Sequence, residues 1–293
     1  MSTLVQKCVK ARYSPKKIGD SKADKELAAN LAASFGAEEK RTRVSKKILQ
    51  CAELDAIKEF DGDTRKVFKE KTAPWGDDGW RILKATDVKQ LKSYIDDRTG
   101  DREALVQAFI DKYNRLIEED KRELGGMWKH EDYPTIEKVI ETFAIGEDPL
   151  EIEVISTEVP DFRAEMSDEE VDEIEANVRK NVEKKQEQAL AVVYGRVLDA
   201  VNKVVERLSD PANKFHESVI ENLKTIVESL PTANFTDDPK LVELGERIKK
   251  NLLTNKTVKE YRQSMPVRAE AEMEAKAIGG DIDNILNKMG GVM

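Results

Sequence analysis

The sequence has few of the residues that build metal and redox sites. Its 293 residues include two cysteines and two histidines, with no CxxC or HExxH spacing. Transition metals need clustered cysteine and histidine ligands, so we expect no such metal site. The cysteines, Cys8 and Cys51, are too few and too far apart to indicate a disulfide framework, which predicts a reducing, cytosolic setting.

Long apolar runs and nucleotide-binding motifs are also lacking. No run approaches the about 20 apolar residues of a membrane span, and the first residues lack the apolar core of a signal peptide. We therefore expect no membrane association. Neither the P-loop pattern nor the dinucleotide-binding glycine pattern occurs, so the sequence predicts no nucleotide and no other cofactor.

No residue pattern nominates a catalytic centre. Cys8 lies in a strand-like pattern and Cys51 on an apolar helical face, where cysteine usually acts as a small hydrophobe. No spacing singles out a hydrolytic carboxylate pair among the 58 acidic residues. We expect a protein that is not an enzyme, and an enzyme with an unobvious carboxylate site stays open as an alternative.

Charge and helical periodicity are abundant. Charged residues make up 37% of the chain and aromatic residues 6%, which favours an elongated helical protein over a thick globular core. We predict a mainly α fold, namely an elongated helical bundle with a long antiparallel helical arm and a small two-stranded β element. The apolar spacing predicts helices at residues 23–35, 38–60, 86–124, 135–144, 168–209, 210–230 and 241–252.

Glycine, proline and paired polar residues predict where these helices stop. Residues 61–63 and 98–101 are expected to break two of them, and Pro231 is expected to end a third. Residues 4–13 and 149–156 alternate as strands, and pairing them would bring basic and acidic side chains opposite each other. Ser167 and Glu170 form a capping box at the start of the long helix.

This reading divides the chain into three regions. Residues 1–85 hold a strand and helices with a tryptophan turn. Residues 86–254 form a helical bundle that includes the strand 149–156 and the long helix 168–209. Residues 255–293 form a weakly patterned tail with a short amphipathic helix.

The tryptophan turn is the most distinctive segment, with the sequence Pro-Trp-Gly-Asp-Asp-Gly-Trp over residues 74–80. Glycine supplies positive φ and aspartate bonds its own backbone, so Trp75, Asp77, Asp78 and Trp80 are typical of a tight turn. The two acids lack the spacing of a calcium loop. We interpret the turn as structural, with both indoles buried against the body of the protein.

Two apolar sets are candidate protein-binding surfaces. The first half of the long helix has one apolar residue per turn, a narrow seam that suits helix pairing. The C-terminal amphipathic segment suits docking of a helix in a groove, either on its own chain or on a partner. The candidate residues are Val171, Ile174, Val178 and Val182 in the seam, and Ile282, Ile285, Leu286 and Met289 in the C-terminal segment.

The uneven distribution of charge along the chain indicates an alternative function. The chain has a net charge of −9, yet its first 50 residues hold 12 Lys and Arg against 5 Asp and Glu. A basic region of this kind is typical of nucleic-acid binding, although aromatic residues for base stacking are scarce there. The candidate cations are Lys7, Lys10, Arg12, Lys16, Lys17, Lys40, Arg41, Arg43, Lys46 and Lys47.

Several short motifs follow one another over residues 60–293, namely Trp75–Leu83, Phe109–Tyr113, Leu124-Gly125, Asp132–Pro134, Arg207–Pro211, Asn234–Pro239 and Met289–Gly291. Taken together, these motifs resemble a family of uncharacterised proteins encoded by tailed bacteriophages and mobile elements. Some members of that family resemble neighbours of MoxR- or cobaltochelatase-type AAA+ ATPases. The resemblance implies a non-enzymatic adaptor that acts through helical surfaces, self-associated or bound to such an ATPase, in the host bacterial cytoplasm.

Overall fold

The computed structural model describes residues 4, 7–143, 148–157, 165–209, 215–254 and 258–290. Helices dominate and the strands form two small sheets, so the predicted mainly α fold is confirmed. In chain order the elements are β1 (Cys8–Tyr13), β2 (Ser21–Ala23), α1 (Lys25–Phe35), β3 (Ser45–Lys47), α2 (Ala52–Glu70), β4 (Ala73–Pro74), β5 (Arg81–Lys84), α3 (Val88–Leu124), α4 (Ile136–Phe143), β6 (Leu150–Val154), α5 (Asp168–Ser209), α6 (Glu217–Ala233), α7 (Pro239–Ile248), α8 (Val258–Gln263) and α9 (Met265–Lys288).

The chain folds into two compact units that do not follow the three predicted regions. Unit 1 comprises Met1–Arg12, Val67–Leu91 and Ile152–Met293, and unit 2 comprises Tyr13–Lys66 and Lys92–Glu151. Both units are therefore assembled from segments that are distant in sequence. No helix among the described residues is both long and apolar enough to cross a membrane.

The larger sheet has the strand order β4-β5-β1-β6. The two strands predicted from alternation, β1 and β6, are thus neighbours. On its other side β1 pairs antiparallel with β5, and Cys8 lies opposite Lys84. Charge complementarity accompanies the pairing of β1 and β6, because the Lys10 ammonium lies 2.6 Å from the Glu153 carboxylate. The predicted strand also included residues 4–7. Residues 5 and 6 lie outside the described part of the chain, and β1 begins at Cys8.

The tryptophan turn connects β4 to β5 as a hairpin. Gly76 and Gly79 adopt φ values of 81° and 83°, which residues with a side chain rarely accept. Both indoles are buried in the core of unit 1, as the sequence predicts. The cations of Lys10 and Arg12 lie 4.5 and 4.9 Å from the centre of the Trp80 ring, a cation–π arrangement that covers the indole further.

The core of unit 1 is built on the second half of α5. The capping box is present, with the Ser167 amide donating to the Glu170 carboxylate over 2.9 Å. The helix α9 runs antiparallel to α5, since Arg268 bonds the Leu208 carbonyl oxygen while Gly279 faces Leu198. The sequence predicts only a short helix near residue 281, whereas α9 covers 24 residues.

The face that α9 buries explains why the sequence gives a weak signal. Its buried positions include Ala271, Ala275 and Gly279, which carry little apolar surface and do not produce a strong hydrophobic pattern. Small residues let two helix backbones approach closely, and packing with α5 then compensates for the low helix propensity of the two central glycines. The tail is therefore an integral part of unit 1.

The core of unit 2 is formed by α2, α3 and α4. Phe109 packs edge-to-face against Tyr113 and Phe143 at ring-centroid distances of 5.7 and 5.8 Å. The buried Arg102 guanidinium binds both carboxylate oxygens of Asp61, at 2.7 and 3.1 Å. Such a fork-shaped pair is among the strongest polar contacts in proteins.

The predicted helix breaks at 61–63 and 98–101 are wrong. Both α2 and α3 run straight through these residues. Asp61 is held by Arg102, and Arg98 donates to the Thr64 hydroxyl and the Phe60 carbonyl oxygen of α2. A glycine inside a helix costs only about 1 kcal/mol, so Gly62 and Gly100 do not by themselves end these helices.

Three other helix boundaries differ from the prediction. The helix expected at 38–60 starts only at Ala52, because β3 and a short turn occupy residues 39–47. Pro231 lies inside the last turn of α6 rather than ending it, since a proline there removes only one amide donor. Of the predicted start of α6, residues 210–214 lie outside the described part of the chain, and α6 begins at Glu217.

Candidate protein-interaction surface

The helix α1 in unit 2 carries one apolar stripe, of which only part is buried. Ala28 and Ala32, one turn apart, are buried against the unit. Leu31 and Phe35, also one turn apart, point to solvent with 42% and 80% of their surfaces accessible. We name this pair, Leu31 and Phe35, the α1 surface. Among the described residues, Phe35 is the most exposed large hydrophobic side chain.

Both ends of α1 are capped by side-chain or backbone geometry. The Asp24 carboxylate accepts a hydrogen bond of 3.0 Å from the Leu27 amide at the N-terminus. Gly36, with φ at 64°, ends the helix in the left-handed conformation, and its amide bonds carbonyl groups of the last turn. A short helix with both ends capped holds the α1 surface in a fixed orientation.

A buried ionic network fastens the start of α1. The Lys46 ammonium lies 3.2 Å from Asp24 and 2.5 Å from Asp132, and it also donates to the Met127 carbonyl oxygen over 2.8 Å. At its first turn, Glu26 binds Lys129 over 2.8 Å. These contacts tie α1 to β3 and to the segment that follows α3.

The pKa values within this network follow from its geometry. The amide of Leu27 and then the ammonium of Lys46 lower the pKa of Asp24 below its ordinary 3.8. Burial alone lowers the pKa of Lys46, but the hydrogen bonds to Asp132 and Asp24 outweigh it and raise the pKa above 10.5. The Asp24 carboxylate and the Lys46 ammonium are therefore both charged at neutral pH.

An open cleft of about 590 Å³ lies between the first half of α1 and residues 38–43. Its rim carries both signs of charge, with Glu38 bound to Lys40 at 3.1 Å and lying 3.7 Å from Arg41. Neither Leu31 nor Phe35 lines this cleft, so the α1 surface is separate from it. The lining residues are Lys25, Ala28, Glu38, Glu39, Lys40, Thr42 and Arg43.

The predicted seam on the first half of α5 is partly covered by the chain itself. Val171 is 1% exposed, Ile174 and Val178 are half-buried, and Val182 packs against the core of unit 1. A partner has access to little apolar surface there. The α1 surface, which the sequence analysis did not single out, is more exposed. The sequence feature that could have revealed the α1 surface is the spacing of Leu31 and Phe35, which are one helical turn apart.

The C-terminal candidates lie on α9 or at its end and contact their own chain. Ile282 is fully buried in the core of unit 1, and Ile285, Leu286 and Met289 pack against that core. The sequence left open whether this segment docks on its own chain or on a partner. In the structure it docks on its own chain.

At least five of the ten candidate cations for nucleic acid form ion pairs in the structure. Lys46 is buried in the α1 network, so it is not available to a phosphate group. The carboxylates that hold the other four compete with phosphate for the same charges. Lys7 pairs with Asp237, Lys10 with Glu153, and Lys40 and Arg41 with Glu38.

The remaining five cations are divided between the units. Arg12 in unit 1 covers Trp80. The other four belong to unit 2, where Lys16, Lys17, Arg43 and Lys47 are exposed. The ten candidate cations are thus divided between the two units, and at least five of them are paired with carboxylates.

The described residues contain no group of three or more His, Cys, Asp and Glu side chains that would hold a metal ion. Asp77 and Asp78 are exposed at the tip of the tryptophan turn. Burial raises the pKa of the Cys8 thiol to about 11 and raises the pKa of Cys51 above 9.0. Both cysteines are therefore thiols rather than nucleophilic thiolates at neutral pH.

No known protein family, curated protein or solved structure matches the chain. The case for a function accordingly depends on the surfaces described above.

Proposed function

We propose that this protein is a non-enzymatic adaptor that binds a partner protein through the α1 surface. The observation that supports the proposal is the exposure of Phe35 and Leu31 on a helix whose two ends are capped and whose neighbouring Ala28 and Ala32 are buried. A soluble protein gains nothing for its own stability from an exposed aromatic side chain. A partner that buries it gains about 1.5–3 kcal/mol.

The geometry favours docking of α1 into an apolar groove. Leu31 and Phe35 are spaced as i and i+4, so they lie on one line along the helix and present two adjacent anchors. Aromatic anchors of this kind dominate the binding energy of many interfaces. Because α1 is held by the network around Lys46, little conformational entropy is lost when the partner binds.

The resemblance noted above supplies the proposed partner and setting. An AAA+ ATPase in the cytoplasm of a bacteriophage-infected bacterium is the partner class that it implies. The following experiment addresses both the partner class and the setting.

A photo-reactive amino acid at position 35 tests the surface inside infected cells. Position 273 is the matched control, because Met273 is 69% exposed on α9 but belongs to unit 1. We expect a crosslinked partner protein from position 35 and not from position 273, and mass spectrometry identifies it. An AAA+ ATPase in the crosslink supports the partner class.

Binding of the purified partner then measures the contribution of the surface. Phe35→Ser is expected to weaken the affinity at least about 30-fold, as loss of an interface hot spot does. Met273→Ser is expected to bind like the wild type. Equal affinity of Phe35→Ser and wild type, with both proteins equally stable, contradicts the proposal.

A further inference from the structure

Two arginines of unit 1 converge on the same backbone oxygen. The Nη2 atoms of Arg81 and Arg196 donate to the carbonyl oxygen of Thr72, over 2.8 and 3.1 Å. Arg81 also donates through Nε to the Thr72 hydroxyl over 2.6 Å and through Nη2 to the Lys69 carbonyl oxygen over 3.2 Å. The two guanidinium groups, which we name the arginine pair, are therefore neighbours just after the C-terminus of α2.

The arginine pair lacks a carboxylate partner. Within the described part of the chain, neither guanidinium lies within salt-bridge distance of an Asp or Glu. By contrast, other arginines have such partners. Arg102, Arg179 and Arg247 each bind a carboxylate at 2.6–3.1 Å. The carbonyl groups at the end of α2 offset only part of the charge of the pair.

Burial makes the charge of the pair costly. Desolvation, followed by the charge of Arg196, lowers the pKa of Arg81 to about 10. Desolvation also lowers the pKa of Arg196, and the negative charge of Glu70 offsets only part of that effect. Both side chains nevertheless stay charged at neutral pH. Two like charges in a partly buried place repel each other, and an anion between them would remove that repulsion.

We propose that the arginine pair is a binding site for a phosphate group. Arg81 uses Nε and Nη2 for the backbone and Thr72, which leaves Nη1 as a donor, and Arg196 bonds through Nη2. No nitrogen of either group is both buried and without a hydrogen-bond partner, so the remaining donors are open to solvent. Planar guanidinium groups bind phosphate oxygens in pairs, and two of them match a doubly charged anion.

Unfolding in phosphate and chloride buffers of equal ionic strength tests the site. We expect inorganic phosphate to raise the unfolding midpoint of the wild type in a saturable way, because a ligand of the native state stabilises it. Arg196→Gln is expected to weaken phosphate binding about tenfold or more, since one charge-assisted hydrogen bond is lost. Glutamine retains an amide that is able to donate to the Thr72 carbonyl.

Arg179→Gln is the matched control. It lies on the same helix α5, is half exposed and binds Glu175, so phosphate is expected to stabilise it as much as the wild type. In chloride, Arg196→Gln is expected to be at least as stable as the wild type, because the substitution removes repulsion. A purely structural role for the arginine pair predicts the opposite, a less stable variant in chloride.

A second set of binding measurements distinguishes a phosphate group carried on a nucleotide from free inorganic phosphate. A nucleoside monophosphate that binds more tightly than inorganic phosphate, and loses affinity in Arg196→Gln, assigns the site to phosphate carried on a nucleotide. Equal affinity assigns it to the free ion. An unchanged midpoint of the wild type in phosphate, or equal stabilisation of wild type and Arg196→Gln, overturns the proposal.

Discussion

The backbone amide of Trp75 donates a hydrogen bond of 2.8 Å to the carbonyl oxygen of Trp80. This bond closes the tryptophan turn and places both indoles in the core of unit 1, next to α5. The turn therefore stabilises the hairpin and the core together, and its exposed acids contribute to neither.

Replacing Trp80 with alanine is expected to lower the free energy of unfolding by about 3–5 kcal/mol, as other large-to-small core substitutions do. The change also removes the ring that Lys10 and Arg12 cover. Chemical denaturation followed by circular dichroism measures the effect. Met273→Ala, at an exposed position of the same unit, should unfold at the wild-type denaturant concentration. A Trp80→Ala protein as stable as the wild type would mean that the indole is not part of the core.

Replacing Arg102 with alanine is expected to destabilise unit 2 by about 3–5 kcal/mol, because Asp61 would remain buried without its counter-charge. Hydrogen exchange of the amides in α2 and α3 reports the loss locally. Arg102→Lys keeps the charge but not the fork geometry, so an intermediate loss is expected. Equal stability of Arg102→Ala and wild type is incompatible with the bidentate contact.

Acid is expected to weaken the attachment of α1. The pKa of Asp24 is lowered in the folded state, so its contribution is present at pH values above the ordinary 3.8 and is lost as the pH falls through the lower folded value. The raised pKa of Lys46 limits the contribution on the alkaline side, above 10.5.

Titration of stability against pH in the wild type and in Asp24→Asn measures this contribution. The wild type should be the more stable protein at neutral pH, and the difference should shrink below about pH 4. If the difference in stability between wild type and Asp24→Asn is constant from neutral to strongly acidic pH, the charge of the Asp24 carboxylate is not its cause.

The adjacent glycines of α9 are expected to respond differently to leucine. A side chain at Gly279 meets Asn202 and Leu198 of α5 at 3.6 and 3.8 Å, whereas one at Gly280 meets nothing within 4 Å. Gly279→Leu therefore overfills the contact and should cost about 1–3 kcal/mol. Gly280→Leu should be neutral or stabilising, because leucine favours helix over glycine. Thermal unfolding compares the pair, and similar melting temperatures for both variants would contradict the close approach of α9 to α5.

Features encoded locally were predictable from the sequence. The capping box at Ser167 and the uninterrupted periodicity behind it define α5 almost to the residue. The strand at 150–154 follows from strict alternation, and the tryptophan turn follows from its two glycines. Each of these depends on neighbours within a few positions, where propensity and hydrogen bonding act directly.

Features that depend on distant partners were not predictable. The charge that keeps Asp61 inside a helix comes from Arg102, and the surface that makes α9 a long helix comes from α5. The exposure of Phe35 likewise depends on where packing along α1 stops, because Phe35 continues the stripe on which Ala28 and Ala32 are buried. The arginine pair joins residues on β5 and α5, and no spacing in the sequence reveals that they share one oxygen atom.

The order of the segments along the chain determines when each unit is able to fold during translation. All residues of unit 2 have been synthesised once position 151 is reached, so that unit is able to fold while translation continues. Unit 1 contains β1 near the start and α9 near the end. The core of unit 1 contains Cys8 of β1 and Ile282 of α9, so this core is complete only after nearly the whole sequence has been synthesised.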